Sequence, residues 1–92
     1  MIVKKQNNKN STTHTLIQGD RYFKFTEYFE DSYNCIYDIK RKKPSHKKGD
    51  IHFQYLLPKD KWIMFSPTWF PVSKDIKTLK DAKKFVKNRE YL

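Results

Sequence analysis

The 92 residues suffice for one small domain with a single modest core, since a chain this short buries only about 60–65% of the surface that its unfolded form exposes. A hydrophobic content of 37%, with 16% aromatic residues, excludes disorder throughout, and no apolar run approaches the roughly 18–20 residues that span a bilayer. Twenty basic against ten acidic residues give a formal charge of +10, which favours an anionic partner such as nucleic acid, an acidic protein or an anionic membrane surface. Lysine supplies 17 of the 20 cations, a composition that an AT-rich genome also produces.

Residues 1–12 are expected to form a flexible N-terminal arm, polar and without periodicity from Lys4 to Ser11, with Ile2 and Val3 able to anchor its start to a sheet edge. Residues 13–92 are expected to form a single small α+β domain. Thr13 to Ile17 reads as a short strand and Gly19-Asp20 as a turn. Arg21 to Phe29 then alternates Phe23, Phe25 and Phe29 with Tyr22, Lys24, Thr26 and Tyr28, the pattern of a half-buried strand. Glu30-Asp31-Ser32 reads as a tight turn, followed by a strand from Tyr33 to Lys40.

Six cations fall within the nine residues Lys40 to Lys48: Lys40, Arg41, Lys42, Lys43, Lys47 and Lys48. Pro44 interrupts the run and Gly49 closes it, which predicts a long basic hairpin loop. Beyond it, Asp50 to Leu57 alternates as a strand, Pro58-Lys59-Asp60 turns, and Lys61 to Phe65, apolar on both faces, reads as a central or covered strand. Pro67 and Pro71 bracket an irregular connection. Thr78, with Asp81 three residues later, predicts a capped amphipathic helix from about Leu79 to Glu90, with Leu79, Ala82, Phe85 and Val86 on its apolar face. The expected fold is α+β, an antiparallel sheet of three to five strands packed by one C-terminal helix.

One helix covers one sheet face, so Tyr22, Lys24 and Tyr28 are expected on the open face. Lysines among exposed tyrosines suit nucleic acid, where bases stack on rings and cations track phosphates. Tyrosine also favours strands for packing reasons alone. The basic run is the more specific signal, a candidate phosphate-contacting element that also fits a nuclear import address. Trp62, Trp69 and Phe70 read as core residues or as partner anchors.

An enzyme reading finds Asp20 with Asp38-Ile39-Lys40, the carboxylate and Asp-x-Lys arrangement of metal-dependent nucleases. Asp75-Ile76-Lys77 and Asp81-Ala82-Lys83 repeat that short pattern, as a lysine-rich chain does by chance. His14, His46 and His52 lack metal-ligand spacing with Cys35, and two glycines allow no phosphate cradle. No catalysis, metal or cofactor is expected. The lone Cys35, placed in a predicted strand, reads as a buried thiol, and Met1 to Asn10 lacks the apolar core of a signal peptide. Together they point to a reducing, cytoplasmic location.

The stretch Ile76-Lys77-Thr78-Leu79-Lys80-Asp81-Ala82-Lys83-Lys84-Phe85-Val86, placed after aromatic strands, resembles the end of many small phage and mobile-element proteins. It is also similar to the end of the arm-type DNA-binding domains of tyrosine recombinases. That resemblance implies a three-stranded sheet backed by a C-terminal helix, with the sheet entering the major groove. The long basic loop, the Pro67 to Pro71 segment and the lack of an attached catalytic domain depart from the family. The expected function is non-catalytic binding of DNA or RNA through Lys40, Arg41, Lys42, Lys43, Lys47 and Lys48 with Tyr22, Lys24 and Tyr28. The alternative is a phage-type inhibitor or adaptor that presents the same basic surface to a host protein or nucleoprotein complex.

Overall fold

The computed structural model describes residues 1–92 and shows an α+β fold. Five antiparallel strands follow one another across the sheet in chain order: β1 (Ile2–Asn7), β2 (Ser11–Gln18), β3 (Arg21–Tyr28), β4 (Ile51–Leu56) and β5 (Trp69–Pro71). A short helix α1 (Ile36–Arg41) lies between β3 and β4, and helix α2 (Leu79–Lys87) follows β5.

Register sorts the side chains onto two faces. Leu16 pairs with Phe23, and Phe25 with Phe53, and these four are buried against Ile76, Ala82, Phe85 and Val86. The rings of Phe23, Phe53 and Phe85 meet edge-on or offset, with the Phe53 and Phe85 centroids 5.5 Å apart at 83°. Such pairs add roughly 0.5–1.5 kcal/mol beyond the area that they bury. The even-numbered side chains of β3, namely Tyr22, Lys24, Thr26 and Tyr28, therefore stand on the face that α2 leaves open.

Helix α2 begins as expected, with the Asp81 backbone N–H donating to Thr78 Oγ1 at 3.1 Å. It stops at Lys87 rather than Glu90 because Arg89 adopts a left-handed conformation (φ 52°). Arg89 N–H then reaches the Val86 carbonyl and Glu90 N–H the Phe85 carbonyl, satisfying two of the last carbonyls.

Five expectations are corrected. The arm is ordered strand along its first half: Ile2 to Asn7 pair with Ile17 to Thr12, an exposed edge that Lys4 and Lys5 guard against further pairing. Tyr33 to Lys40 is no strand, since Ile36–Arg41 turns helical between an extended Cys35 and a left-handed Lys42. Cys35 is accordingly exposed at that helix start. Lys61 to Phe65 is no central strand but a short 3-10 turn and a tight reversal. Ile63 and Ser66 form a bridge there, and Met64 and Phe65 at its tip are 87% and 98% exposed. Trp69 and Phe70, expected in an irregular connection, instead form the edge strand with Pro71 at its end, where no ladder donor is missed.

Candidate functional site

The basic run lies within residues 29–50, which join β3 to β4 at one end of the sheet. Lys40 and Arg41 close α1, Lys42 terminates it at φ 53°, and Lys43 to Lys48 return to the strand. The run is therefore half helix terminus and half loop, not the simple hairpin loop expected. Lys42 N–H bonds the Ile39 carbonyl and Lys43 N–H the Asp38 carbonyl, the same closure that ends α2.

Three acids hold this connection in place. The Asp38 carboxylate, which is largely buried, pairs with Arg41 at 3.1 Å and accepts from the Asn34 N–H. Asp31 Oδ1 accepts from the Lys48 N–H and Asp50 Oδ2 from the Lys47 N–H, both at 2.8 Å. Asp31 and Asp50 thus fix the backbone and leave the ammonium groups alone. The chain's ion pairs are Arg41–Asp38, Lys74–Glu90 and Lys77–Asp75. Lys40, Lys42, Lys43, Lys47 and Lys48 are exposed and carry their charge without a carboxylate partner.

Arg41 differs from its neighbours: besides Asp38, its guanidinium lies 4.2 Å from the Tyr37 ring centroid. Around it, Ile36 and Ile39 are 71% and 59% exposed. Helix α1 therefore turns apolar side chains outward beside the lysines, and only Asp38 faces in.

The three strand residues share the open face but differ in circumstance. Tyr22 is exposed and lines a cleft of about 870 Å³ with Tyr55, Trp62 and Tyr91. Lys24 is half-buried, its Nζ 4.1 Å from the Trp69 ring centroid, and burial lowers its pKa below the ordinary lysine value. Tyr28 is half-buried under His46, the two rings stacked at 4.3 Å and 16°. Burial, with the Asp50 charge adding, raises the Tyr28 phenol above its usual pKa. Tyr28 adjoins the basic connection, for its N–H bonds the Asp50 carbonyl and its carbonyl accepts from Gly49. Tyr22 stands six residues back along β3, about 20 Å away at strand spacing. Tyr28 thus adjoins the lysine-bearing connection, while Tyr22 and Lys24 lie farther along the open face.

Asp20 and Asp38 stand before and after β3, whose eight residues span roughly 25 Å, so the nuclease-like acids do not converge. The structure instead gathers His46, Asp50 and His52, whose candidate ligand atoms all lie within 4.8 Å of one another. The two imidazoles meet at 4.6 Å and 88°, and Tyr28 packs on both. Burial lowers the His52 pKa, His46 adds to the shift, and Asp50 opposes it. A search for histidine spacing relative to Cys35 misses this group. The visible signal is His-x₃-Asp-x-His at the entry to a strand, where the loop folds His46 back onto β4.

The chain matches no protein-family model, and neither the curated proteins nor the solved structures contain a match to it. No helix is long and apolar enough to cross a membrane. The chemistry of the surface itself carries the functional argument.

Proposed function

We propose that the chain is a non-catalytic nucleic-acid-binding protein whose β3–β4 connection contacts phosphates. The observation that carries this reading is the set of five exposed lysines, Lys40, Lys42, Lys43, Lys47 and Lys48, without ion-pair partners, the last two on a backbone pinned by Asp50 and Asp31. Charges held apart from carboxylates attract a polyanion, and a fixed backbone reduces the ordering cost of binding it. Arg41 belongs to the same run but acts first on Asp38, so its part is to hold α1. Tyr22 offers the free ring for base stacking. Tyr28, covered by His46 on one side, positions the loop, and Lys24 stays on Trp69.

Fluorescence anisotropy of labelled duplex DNA, single-stranded DNA and RNA at low salt tests the reading. Saturable binding to at least one of them is expected, weakening steeply as salt is added. Absence of binding to all three at low salt overturns it.

A second reading is favoured by one observation. Ile36 and Ile39, 71% and 59% exposed on α1, project beside the lysines. Apolar side chains held in water beside cations suit an acidic protein partner better than a duplex. In this reading the chain is an inhibitor or adaptor. A stoichiometric protein retained from nuclease-treated lysate, and lost in Ile39→Ser, supports it; retention of nothing once nucleic acid is digested contradicts it.

A further inference from the structure

We propose that His46, Asp50 and His52 form a binding site for one divalent transition-metal ion, zinc by preference, that ties the basic connection to the sheet. This inference stands apart from the nucleic-acid reading, since it concerns neutral and acidic donors and not the lysines.

The donor set comes from two parts of the fold. His52 lies on β4, on the open face, in register with Thr26. Asp50 stands at the entry to the same strand, level with Tyr28. His46 comes from the loop, where Ser32 N–H donates to the His46 carbonyl at 2.8 Å. The fold thus brings three ligands together from sequence neighbours that a strand alone would keep apart, because Asp50 and His52 need His46 to close the triangle.

Their chemistry fits zinc. Two imidazoles and one carboxylate are the ligands of transition ions rather than of calcium or magnesium, which take oxygen. Zinc bonds of about 2.0–2.2 Å place tetrahedral donors about 3.3–3.5 Å apart, so donor atoms within 4.8 Å converge by small side-chain rotations. Three protein ligands leave further positions for water, as open zinc sites do. A second layer is already in place: the Lys47 N–H orients Asp50 through Oδ2, and Tyr28 stacks on His46. The ammonium groups of Lys47 and Lys48 are exposed and oppose a cation, which weakens the site without removing its ligands.

Binding joins loop to strand through one ion. It also adds positive charge at the root of the lysine run.

The test uses the full untagged chain with Cys35→Ser, so that the exposed thiol cannot supply the ligand. Titration with Co²⁺ is expected to give a saturable visible d–d absorption at one equivalent, which Zn²⁺ displaces. His46→Ala and His52→Ala should each weaken the Co²⁺ affinity by about tenfold or more, while His14→Ala, on the other sheet face, leaves it unchanged. Added Zn²⁺ should slow amide exchange at Lys47 and Lys48 in the parent chain and not in His46→Ala. No saturable absorption, or unchanged affinity in His46→Ala, overturns the proposal. His46 lies in a loop outside the core, so this variant keeps the test valid even where His52→Ala fails to fold. None of these readouts involves nucleic acid, and so a failure to bind DNA or RNA leaves them untouched.

Discussion

The His46 ring lies flat on Tyr28 at 4.3 Å, so the lysine-bearing connection is docked on the sheet and does not hang free. Removing either ring should loosen it, though its backbone bonds remain. Tyr28→Ala is expected to speed amide exchange at Lys47 and Lys48 and to cost about 0.5–1.5 kcal/mol beyond the area lost. Exchange rates at Lys47 and Lys48 that match the parent chain would show that Asp31, Asp50 and the Ser32–His46 bridge hold the loop without the ring contact.

Within the basic run, substitutions should separate into two classes. Lys43→Ala or Lys47→Ala should weaken polyanion binding, each reducing the salt slope on duplex DNA by about 0.9, with little change in stability. Arg41→Ala should instead destabilise α1, because it leaves the largely buried Asp38 carboxylate without its cation, a loss of the order of 1–3 kcal/mol. Urea unfolding beside anisotropy measurements distinguishes the classes.

Left-handed residues that are not glycine give a third set. Arg89 closes α2 at φ 52°, and Phe65 sits at φ 62° on the exposed turn. Arg89→Gly and Phe65→Gly should each stabilise the chain, by about 1 kcal/mol, since a left-handed conformation costs an L-residue roughly 1–2 kcal/mol that glycine avoids. Thermal midpoints check the sign. A gain at Phe65 coupled to loss of a protein partner would mark the turn as strained for use.

Protonation of His14 should weaken the fold. His14 lies on the α2 side of β2, where burial lowers its pKa below the ordinary value, Glu27 opposes the shift, and Lys5 and Lys83 reinforce it. The unfolded chain therefore binds the proton first. Stability is full above the unfolded value near 6.5 and falls as pH drops towards the folded value, below which this loss levels off. The urea midpoint should fall between pH 7.5 and pH 5, and fall less in His14→Gln.

The α+β class, strands β2, β3 and β4, and the capped start of α2 were legible because period-two alternation and the Thr78–Asp81 pair act locally. Ile36 to Arg41 misled because Ile39 and Tyr37 alternate like a strand yet find no core to face. The left-handed Lys42, with Pro44 beyond it, ended a helix there instead. Trp62 to Phe65 misled for the opposite reason: apolar on both faces, the segment belongs to a reversal that buries neither Met64 nor Phe65. At the site, the charge of the run was plain from the residues. The docking of His46 on Tyr28, the occupation of Lys24 by Trp69 and the meeting of His46, Asp50 and His52 depend on how the connection folds back, which no local pattern encodes.

The central claim is that the free lysines of the β3–β4 connection contact phosphates. Salt-dependent anisotropy on duplex DNA, comparing the parent chain with Lys42→Gln, Lys43→Gln, Lys47→Gln and Lys48→Gln combined, tests it most directly. A parent slope of about −3 to −4.5 that falls by about 3 or more in the variant is the expected result, given up to five contacting lysines. An unchanged slope in the folded variant would contradict it and move the contact elsewhere on the chain.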